Sequence, residues 1–358
     1  MPIFAATPRY VQGAEVLSSL GRHTAVLGER SVLVADGIVL ELLAGKISTS
    51  FAEANMPLEI LRFQGEVTHA EIASLAARAK ASKADVIIGA GGGKALDAAK
   101  GVARTLNLRM VSVPTVASND GPASASIAVY DANHVMVEVQ QMKRHPDLVL
   151  VDTAVIASAP LRFFLAGIGD AISKKFEAEA CAKAGALTLF GAPVSFTGIA
   201  SANACYQLLR THAKPAVDDV RQQRVSSHVE AVVEATVLLS TLSFENGGLS
   251  IAHAIARGFS HLPRAANTLH GEHVAYGLLV QLVLEQRDAT LVEDLLAFYD
   301  DVGLPSRLVH FLRDQPTQEE ISLLAEQSVL SPSAARFSPQ VDAQLLCNAI
   351  ISVEALSK

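Results

Sequence analysis

The apolar run Val86-Ile87-Ile88-Gly89-Ala90 passes without a break into Gly91-Gly92-Gly93, and then into Lys94-Ala95-Leu96-Asp97, which is patterned as the start of a helix. A short continuous run rich in β-branched residues is what a strand buried on both faces requires. Three successive glycines at a strand-to-helix junction strip the backbone of Cβ atoms, so an anionic group can approach the N–H donors of the helix's first turn. A plain tight turn does not need three glycines. The junction therefore reads as a site for the pyrophosphate of a dinucleotide, with a parallel sheet behind it.

The sequence on either side supplies that sheet. Ser31 to Ala35, Asp85 to Gly89, Met110 to Val113 and Leu148 to Val151 read as buried strands, and His69 to Ser82 and Ala95 to Thr105 as helices between them. Strand and helix in alternation imply a doubly wound parallel sheet. Ser126 to Tyr130 and His134 to Val139 alternate in polarity around the turn Asp131-Ala132-Asn133 and read as a hairpin appended to the sheet. From about Pro160 the pattern turns helical: Gly169 to Lys183, Pro193 to Thr211, Val217 to Leu242, Gly248 to Ser260, His270 to Glu285, Thr290 to Asp301, Thr317 to Ser328 and Pro339 to Ser357. The expected fold class is an α/β amino-terminal domain over 1–159 plus an all-α carboxyl-terminal domain over 160–358. With one proline and no Gly/Ser linker at Ser158-Ala159-Pro160, the two should be tightly joined around a cleft.

Composition narrows the partners. A net charge of -7 and the absence of a Lys/Arg run argue against nucleic acid. No apolar span approaches the ~20 residues of a membrane helix, and Met1 to Tyr10 lacks the pattern of an export signal. A soluble, cytoplasmic protein with no membrane partner is expected. Charged residues make up only 18% of the chain, so surface hidden in a homo-oligomer is also expected. Cys181, Cys205 and Cys347 form no CxxC motif and read as buried free thiols.

Other candidate contacts follow from the sheet. Asp36 ends the strand Val32-Leu33-Val34-Ala35, from where a carboxylate can accept hydrogen bonds from an adenosine ribose and repel a 2′-phosphate, favouring NAD; it can equally be a strand-end turn residue. The linear GxGxxG fingerprint is absent. After Val111-Ser112-Val113, the polar segment Pro114 to Ser124 lies at a strand's carboxyl end, where open α/β sheets bind ligands.

In the helical half, Asp170 lies in Gly167-Ile168-Gly169-Asp170, His253 in Gly248-Leu249-Ser250-Ile251-Ala252-His253, and His270 in Leu269-His270-Gly271-Glu272-His273. One carboxylate and two imidazoles can hold a divalent metal with positions left open, and suit zinc or ferrous iron alike. Each histidine has the alternative of a buried core residue, and eleven histidines make chance trios easy. A Lewis-acidic cation eases deprotonation of an alcohol, and a nicotinamide then accepts hydride, so metal and dinucleotide belong together. Glu272 and His273 read either as groups that orient a ligand or as helix surface, and Glu177 as a surface or interhelical residue.

Together these motifs resemble the glycerol dehydrogenases of the iron-containing alcohol dehydrogenase and dehydroquinate-synthase-like superfamily. The resemblance runs from Tyr10-Val11-Gln12-Gly13 through Gly91 to Lys94, Pro114 to Asp120, Ala166 to Asp170 and Phe244-Glu245-Asn246-Gly247-Gly248-Leu249 to His270-Gly271-Glu272. It implies a Rossmann-like domain, a helical domain and often an octamer. The implied reaction is the NAD-linked oxidation of glycerol to dihydroxyacetone at a divalent metal, zinc or iron. It implies Asp170, His253 and His270 as metal ligands and Asp120 as a contact for a substrate hydroxyl. It also implies Asp36 at the ribose, Gly92, Gly93, Lys94 and Asp97 around the pyrophosphate, and Thr115, Ser118, Ser124, Ser126 and Tyr130 along the rest of the cofactor.

The chain departs from the family pattern at Ala256, where a second histidine is common, and over Glu138 to Pro146, which leaves the substrate more open than the metal. Another small diol, a 2-hydroxycarboxylate or glycerol 1-phosphate are the alternatives; for the phosphate, Lys143-Arg144-His145 is the one suggestive cluster, with a solvated loop face as its other reading. A dehydroquinate-synthase-like cyclase or a silent NAD-binding scaffold would share the fold.

Overall fold

The computed structural model describes residues 1–132 and 136–356; Asn133, His134, Val135 and Ser357, included in the expected hairpin and last helix, lie outside that range. Two compact units are present: Ala6–Pro160 with Asp219–Glu230, and Met1–Ala5, Leu161–Asp218 and Ala231–Lys358.

The first unit is built on six parallel strands: β1 (Tyr10–Gly13), β2 (Ser31–Ala35), β3 (Leu58–Arg62), β4 (Val86–Gly91), β5 (Arg109–Pro114) and β8 (Leu148–Asp152), in the spatial order β1-β8-β5-β4-β2-β3. Successive residues of β2 face opposite sides. Val32 and Val34 join a core with the helices His69–Ala81 and Gly93–Leu106, whereas Leu33 and Ala35 join one with the helix Gly37–Glu53. Burial of each Val, Leu or Ile on such a two-faced sheet contributes about 1.5–3 kcal/mol, which is why these strands read as unbroken apolar runs.

Two strands and one helix were not expected from sequence. β3 exposes most of Leu58-Glu59-Ile60-Leu61-Arg62 at the sheet edge, and β1 is only half-buried, so neither carries a continuous apolar run. The helix Gly37–Glu53 is capped by Asp36, whose side chain accepts the Val39 N–H at 3.0 Å. The expected hairpin needs correction as well. β6 (Ser126–Tyr130) and β7 (Met136–Gln141) pair antiparallel as a separate two-stranded sheet. Ile127 and Val129 attach it to the first unit by packing into the core beside Val32 and Val34, not by hydrogen bonds to the large sheet.

The second unit is helical. The expected helix Gly169 to Lys183 is divided at Ser173 into Leu161–Ile172 and Lys174–Ala184. The expected helix Val217 to Leu242 is broken too: Phe196–Arg221 ends before Ser227–Val233, which continues as a π-helical turn, Glu234–Leu239, and then Ser240–Gly247. Beyond these lie Ile251–Phe259, His270–Leu284, Ala289–Val302, Val309–Leu312, Gln318–Val329 and Ala343–Leu356. All three cysteines are buried and free. Among the described residues, no helix is long and apolar enough to cross a membrane.

Candidate functional site

Glycines set the helix spacing that assembles one site in the helical unit. A Cβ on Gly271 would lie 1.8 Å from the Ala166 carbonyl oxygen, and one on Gly169 would lie 2.4 Å from the Gly271 oxygen. Only backbone-to-backbone contact at these positions lets Leu161–Ile172 approach the amino end of His270–Leu284 so closely. That approach brings Asp170 beside His270. His253, in the first turn of Ile251–Phe259, completes a group whose ligand atoms all lie within 4.8 Å of one another.

The imidazoles of His253 and His270 have centroids 5.3 Å apart, and His253 Nε2 is 3.3 Å from Asp170 Oδ1. The other nitrogen of His253 is held by Glu177, with Nδ1 2.7 Å from Oε2. Glu177 Oε1 also accepts the N–H groups of Ser250 at 2.7 Å and His253 at 3.1 Å, capping the helix that carries the ring. A carboxylate on Nδ1 fixes the tautomer that turns the Nε2 lone pair toward Asp170, the arrangement of a metal-ligating histidine. Tetrahedral zinc with ligands at about 2.0–2.2 Å needs only a small contraction of this donor set. The three residues fit a divalent cation.

Burial opposes charge on Asp170, but the adjacent Lys174 ammonium and His253 outweigh it and hold the carboxyl well below its usual range. Glu177 is held low against burial by His253 and Lys174. Burial would also depress His253, yet the Glu177 charge raises it to about 9, whereas burial pushes His270 down to about 4.

Two readings left open by the sequence are decided here. Of its two alternatives, surface or interhelical, Glu177 takes the second: it is fully buried and bonds the helix that carries His253. Glu272 accepts the Leu269 N–H at 2.7 Å as a helix cap, and buried His273 stacks on Phe259 with centroids 4.3 Å apart, so each has a local role other than helix surface. Lys174, absent from the sequence reading, lies with Nζ 2.5 Å from Asp170 Oδ1. Lys174 and Glu177 follow Asp170 by four and seven positions, about one and two helical turns, a spacing shared by ordinary charges along a helix.

A second site lies in the α/β unit. β2 continues outward to β3 and β4 toward β5, so the crevice beyond the carboxyl ends of β2 and β4 is a topological switch point. Asp36 and Gly91 stand there, one residue past the register pair Ala35 and Ala90. Cβ atoms on Gly92 and Gly93 would meet nothing nearer than 3.6 Å and 3.7 Å, and Gly92 has ordinary extended backbone. Neither packing nor backbone strain calls for glycine at these two positions, at the start of the helix Gly93–Leu106. A side chain would be tolerated at both, and its absence leaves the first backbone N–H groups of the helix bare, a cradle that suits a phosphate group.

The remaining predicted cofactor residues surround this unit's loops. Lys94 pairs with Glu66 at 2.7 Å and lies 5.1 Å over the Tyr130 ring. The Asp97 carboxylate accepts the Ala128 N–H at 3.0 Å and Lys100 Nζ at 3.1 Å. Thr115 N–H bonds the Gly91 carbonyl at 3.1 Å, Ser124 Oγ accepts the Ser126 N–H at 2.9 Å, and Ser126 Oγ accepts from Gln141 at 2.9 Å. Ser118 and Asp120 are half-buried in the loop after β5. Lys100, not singled out from sequence, is fully buried and also donates to the carbonyls of Gly121 at 2.7 Å and Ser126 at 3.0 Å, tying the carboxyl end of the polar loop and the start of β6 to the helix. Of the cluster at 143–145, His145 is buried, whereas Lys143 is exposed and Arg144, which donates to the Leu108 carbonyl at 2.8 Å, keeps its side chain 39% exposed.

Comparison with known proteins finds relatives that match over most of the chain. A family model described as iron-containing alcohol dehydrogenase matches residues 12–160. A glycolaldehyde reductase of Halobacterium salinarum is 39% identical over 90% of this chain and 89% of its own length. A glycerol dehydrogenase of Thermotoga maritima is 38% identical over 93% of this chain and 91% of its own. The crystal structure of glycerol dehydrogenase from Schizosaccharomyces pombe, 33% identical, matches with a TM-score of 0.95 over 100% of this chain and 91% of that one. With whole-length relatives at these identities, the chain belongs to the iron-containing alcohol dehydrogenase family.

Proposed function

We propose that this protein is a metal-dependent polyol dehydrogenase that oxidises glycerol to dihydroxyacetone with NAD. The observation that carries the reading is the convergence of Asp170, His253 and His270 around one point, with the His253 ring fixed by Glu177. The activity named for the Thermotoga maritima and Schizosaccharomyces pombe relatives supplies the substrate class. The helical unit is the proposed metal-binding domain, the α/β unit the proposed NAD-binding domain, and zinc the proposed ion.

A divalent cation held by the three ligands would supply Lewis acidity, lowering the pKa of a substrate hydroxyl. Glu177 keeps His253 oriented as a donor and balances part of the cation's charge. In the α/β unit, the backbone at Gly92 and Gly93 receives pyrophosphate, and Lys94 and Asp97 stand at the same helix start. Asp36 accepts from the ribose and disfavours a 2′-phosphate. Thr115, Ser118, Ser124, Ser126 and Tyr130 are assigned to the remaining cofactor surface, and Asp120 to a substrate hydroxyl. Bound NAD would supply the hydride acceptor.

The Halobacterium salinarum relative favours one further substrate, glycolaldehyde, reduced by the same chemistry in reverse. The test is the initial rate of NADH formation by zinc-loaded protein with glycerol, 1,2-propanediol, 2-hydroxy acids and glycerol 1-phosphate, alongside NADH consumption with dihydroxyacetone and glycolaldehyde. Preference for glycerol and dihydroxyacetone is expected, whereas turnover of the acids or the phosphate alone would remove glycerol as the substrate. A cytoplasmic homo-oligomer, an octamer by family resemblance, is the proposed assembly; light scattering of the purified protein measures it.

A further inference from the structure

Lys174 is the unexplained member of the helical site. Its side chain is fully buried, and its ammonium touches two of the three proposed metal ligands, Asp170 Oδ1 at 2.5 Å and His253 Nε2 at 3.2 Å. Those are the atoms whose lone pairs a metal ion would take. The contact is dictated by the chain itself: Lys174 begins the helix that follows the break at Ser173, four residues after Asp170, so its amine is tethered within reach of that carboxylate. A buried lysine remains charged only where a carboxylate compensates it, and Asp170 is the acid it pairs with at closest range.

Resting on the reading of Asp170, His253 and His270 as a metal centre, we propose that Lys174 is an intramolecular cation that competes with the divalent ion for Asp170 and His253. An ammonium and a divalent cation cannot share the same lone pairs, and at such separations they repel strongly in a buried site. Loading the metal therefore requires the ammonium to leave Asp170. The Phe244 ring, 5.9 Å from Nζ, offers a cation–π face to which the side chain retreats without leaving the interior. When the ion departs, the ammonium returns and keeps the carboxylate from standing unpaired. Lys174 thereby tunes how tightly this chain holds its metal.

The test is zinc binding to the full-length protein after chelator treatment, measured by competition with a chromophoric chelator. Lys174→Met and Lys174→Gln remove the competing charge and should tighten zinc binding about tenfold or more relative to the unmodified protein. Asp170→Asn should abolish binding in every background. Unchanged or weaker affinity in both Lys174 variants, with Asp170→Asn still abolishing binding, overturns the competition while leaving the metal centre intact. No zinc binding by any form, or binding insensitive to Asp170→Asn, overturns the metal centre and the competition with it. A crystal structure of the unmodified protein grown with zinc gives a readout independent of the variants' folding. Lys174 Nζ should have moved out of hydrogen-bond range of Asp170; an ammonium still bonded to Asp170 beside a bound ion refutes the proposal.

Discussion

Glycine serves opposite needs in the two units. At Gly92 and Gly93 a Cβ would meet nothing nearer than 3.6 Å, whereas at Gly271 and Gly169 it would collide with a carbonyl oxygen at 1.8 Å and 2.4 Å. The first pair leaves space that the protein does not fill, and the second removes space so that two helices can touch. A glycine-rich motif thus has two physical readings, and the neighbour at the missing Cβ tells them apart. Under the proposed function both serve a site: one leaves a helix start bare for phosphate, and the other draws Asp170 toward His270.

The comparison can be broken most directly at its crowded end. Gly271→Ala forces a methyl into the Ala166 carbonyl, and overpacking of this severity costs about 3 kcal/mol, or roughly 6 °C or more in Tm, with loss of zinc binding. A thermal melt with and without zinc checks it, and a variant that melts within a degree of the parent would show the helix contact to be slack. Next in size is Glu177→Gln, which removes the charge on His253 while keeping its shape; metal affinity should fall about 10- to 100-fold. Equal zinc affinity in a chelator competition would remove Glu177 from the centre.

At the open end, Gly93→Ala should leave stability within about 0.5 kcal/mol of the parent, since nothing crowds that position. NAD affinity should fall on the order of tenfold, equivalent to about 1.4 kcal/mol. Calorimetric titration with NAD gives the answer, and unimpaired binding by the alanine variant would mean that no phosphate lies against Gly93.

The effect that is smallest near neutral pH, and grows only in acid, concerns His273. Burial pushes His273 down to about 3, against about 6.5 in an unfolded chain. The folded protein therefore keeps this ring neutral while the unfolded one takes up a proton, so its contribution is full above about pH 6.5 and is lost as pH falls toward 3. The loss approaches about 1.4 kcal/mol per pH unit in that window. His273→Gln should flatten the acid side of the Tm profile; a slope identical to the parent's would assign acid lability to other groups.

Legibility from sequence followed burial. β2, β4, β5 and β8 are covered on both faces and stand out as apolar runs, whereas β1 and β3 at the edges do not. Breaks within helices were the hardest to see: nothing in Gly169 to Lys183 marks an interruption at Ser173, where composition and backbone, at φ -73 and ψ -26, both stay helical. Asp170, His253 and His270, which converge in the fold, stand out through their neighbourhoods, but in the sequence Glu177 reads as a surface or interhelical residue and Lys174 is not singled out. A charged residue beyond a ligand has no distinctive signature until the partner helix carrying His253 is in place.

The α/β unit is made from two separate stretches of chain, with Leu161–Asp218 belonging elsewhere between them. The returning stretch brings Glu230, which accepts from Gln12 Nε2 at 2.6 Å and from Thr153 Oγ1 at 2.6 Å, joining β1 to the residue that follows β8. During synthesis the sheet strands emerge from the ribosome long before Glu230 does. The edge formed by β1 must therefore wait, its polar side chains without their final acceptor, until much of the helical unit has been made, and the order of translation is not the order in which this domain is finished.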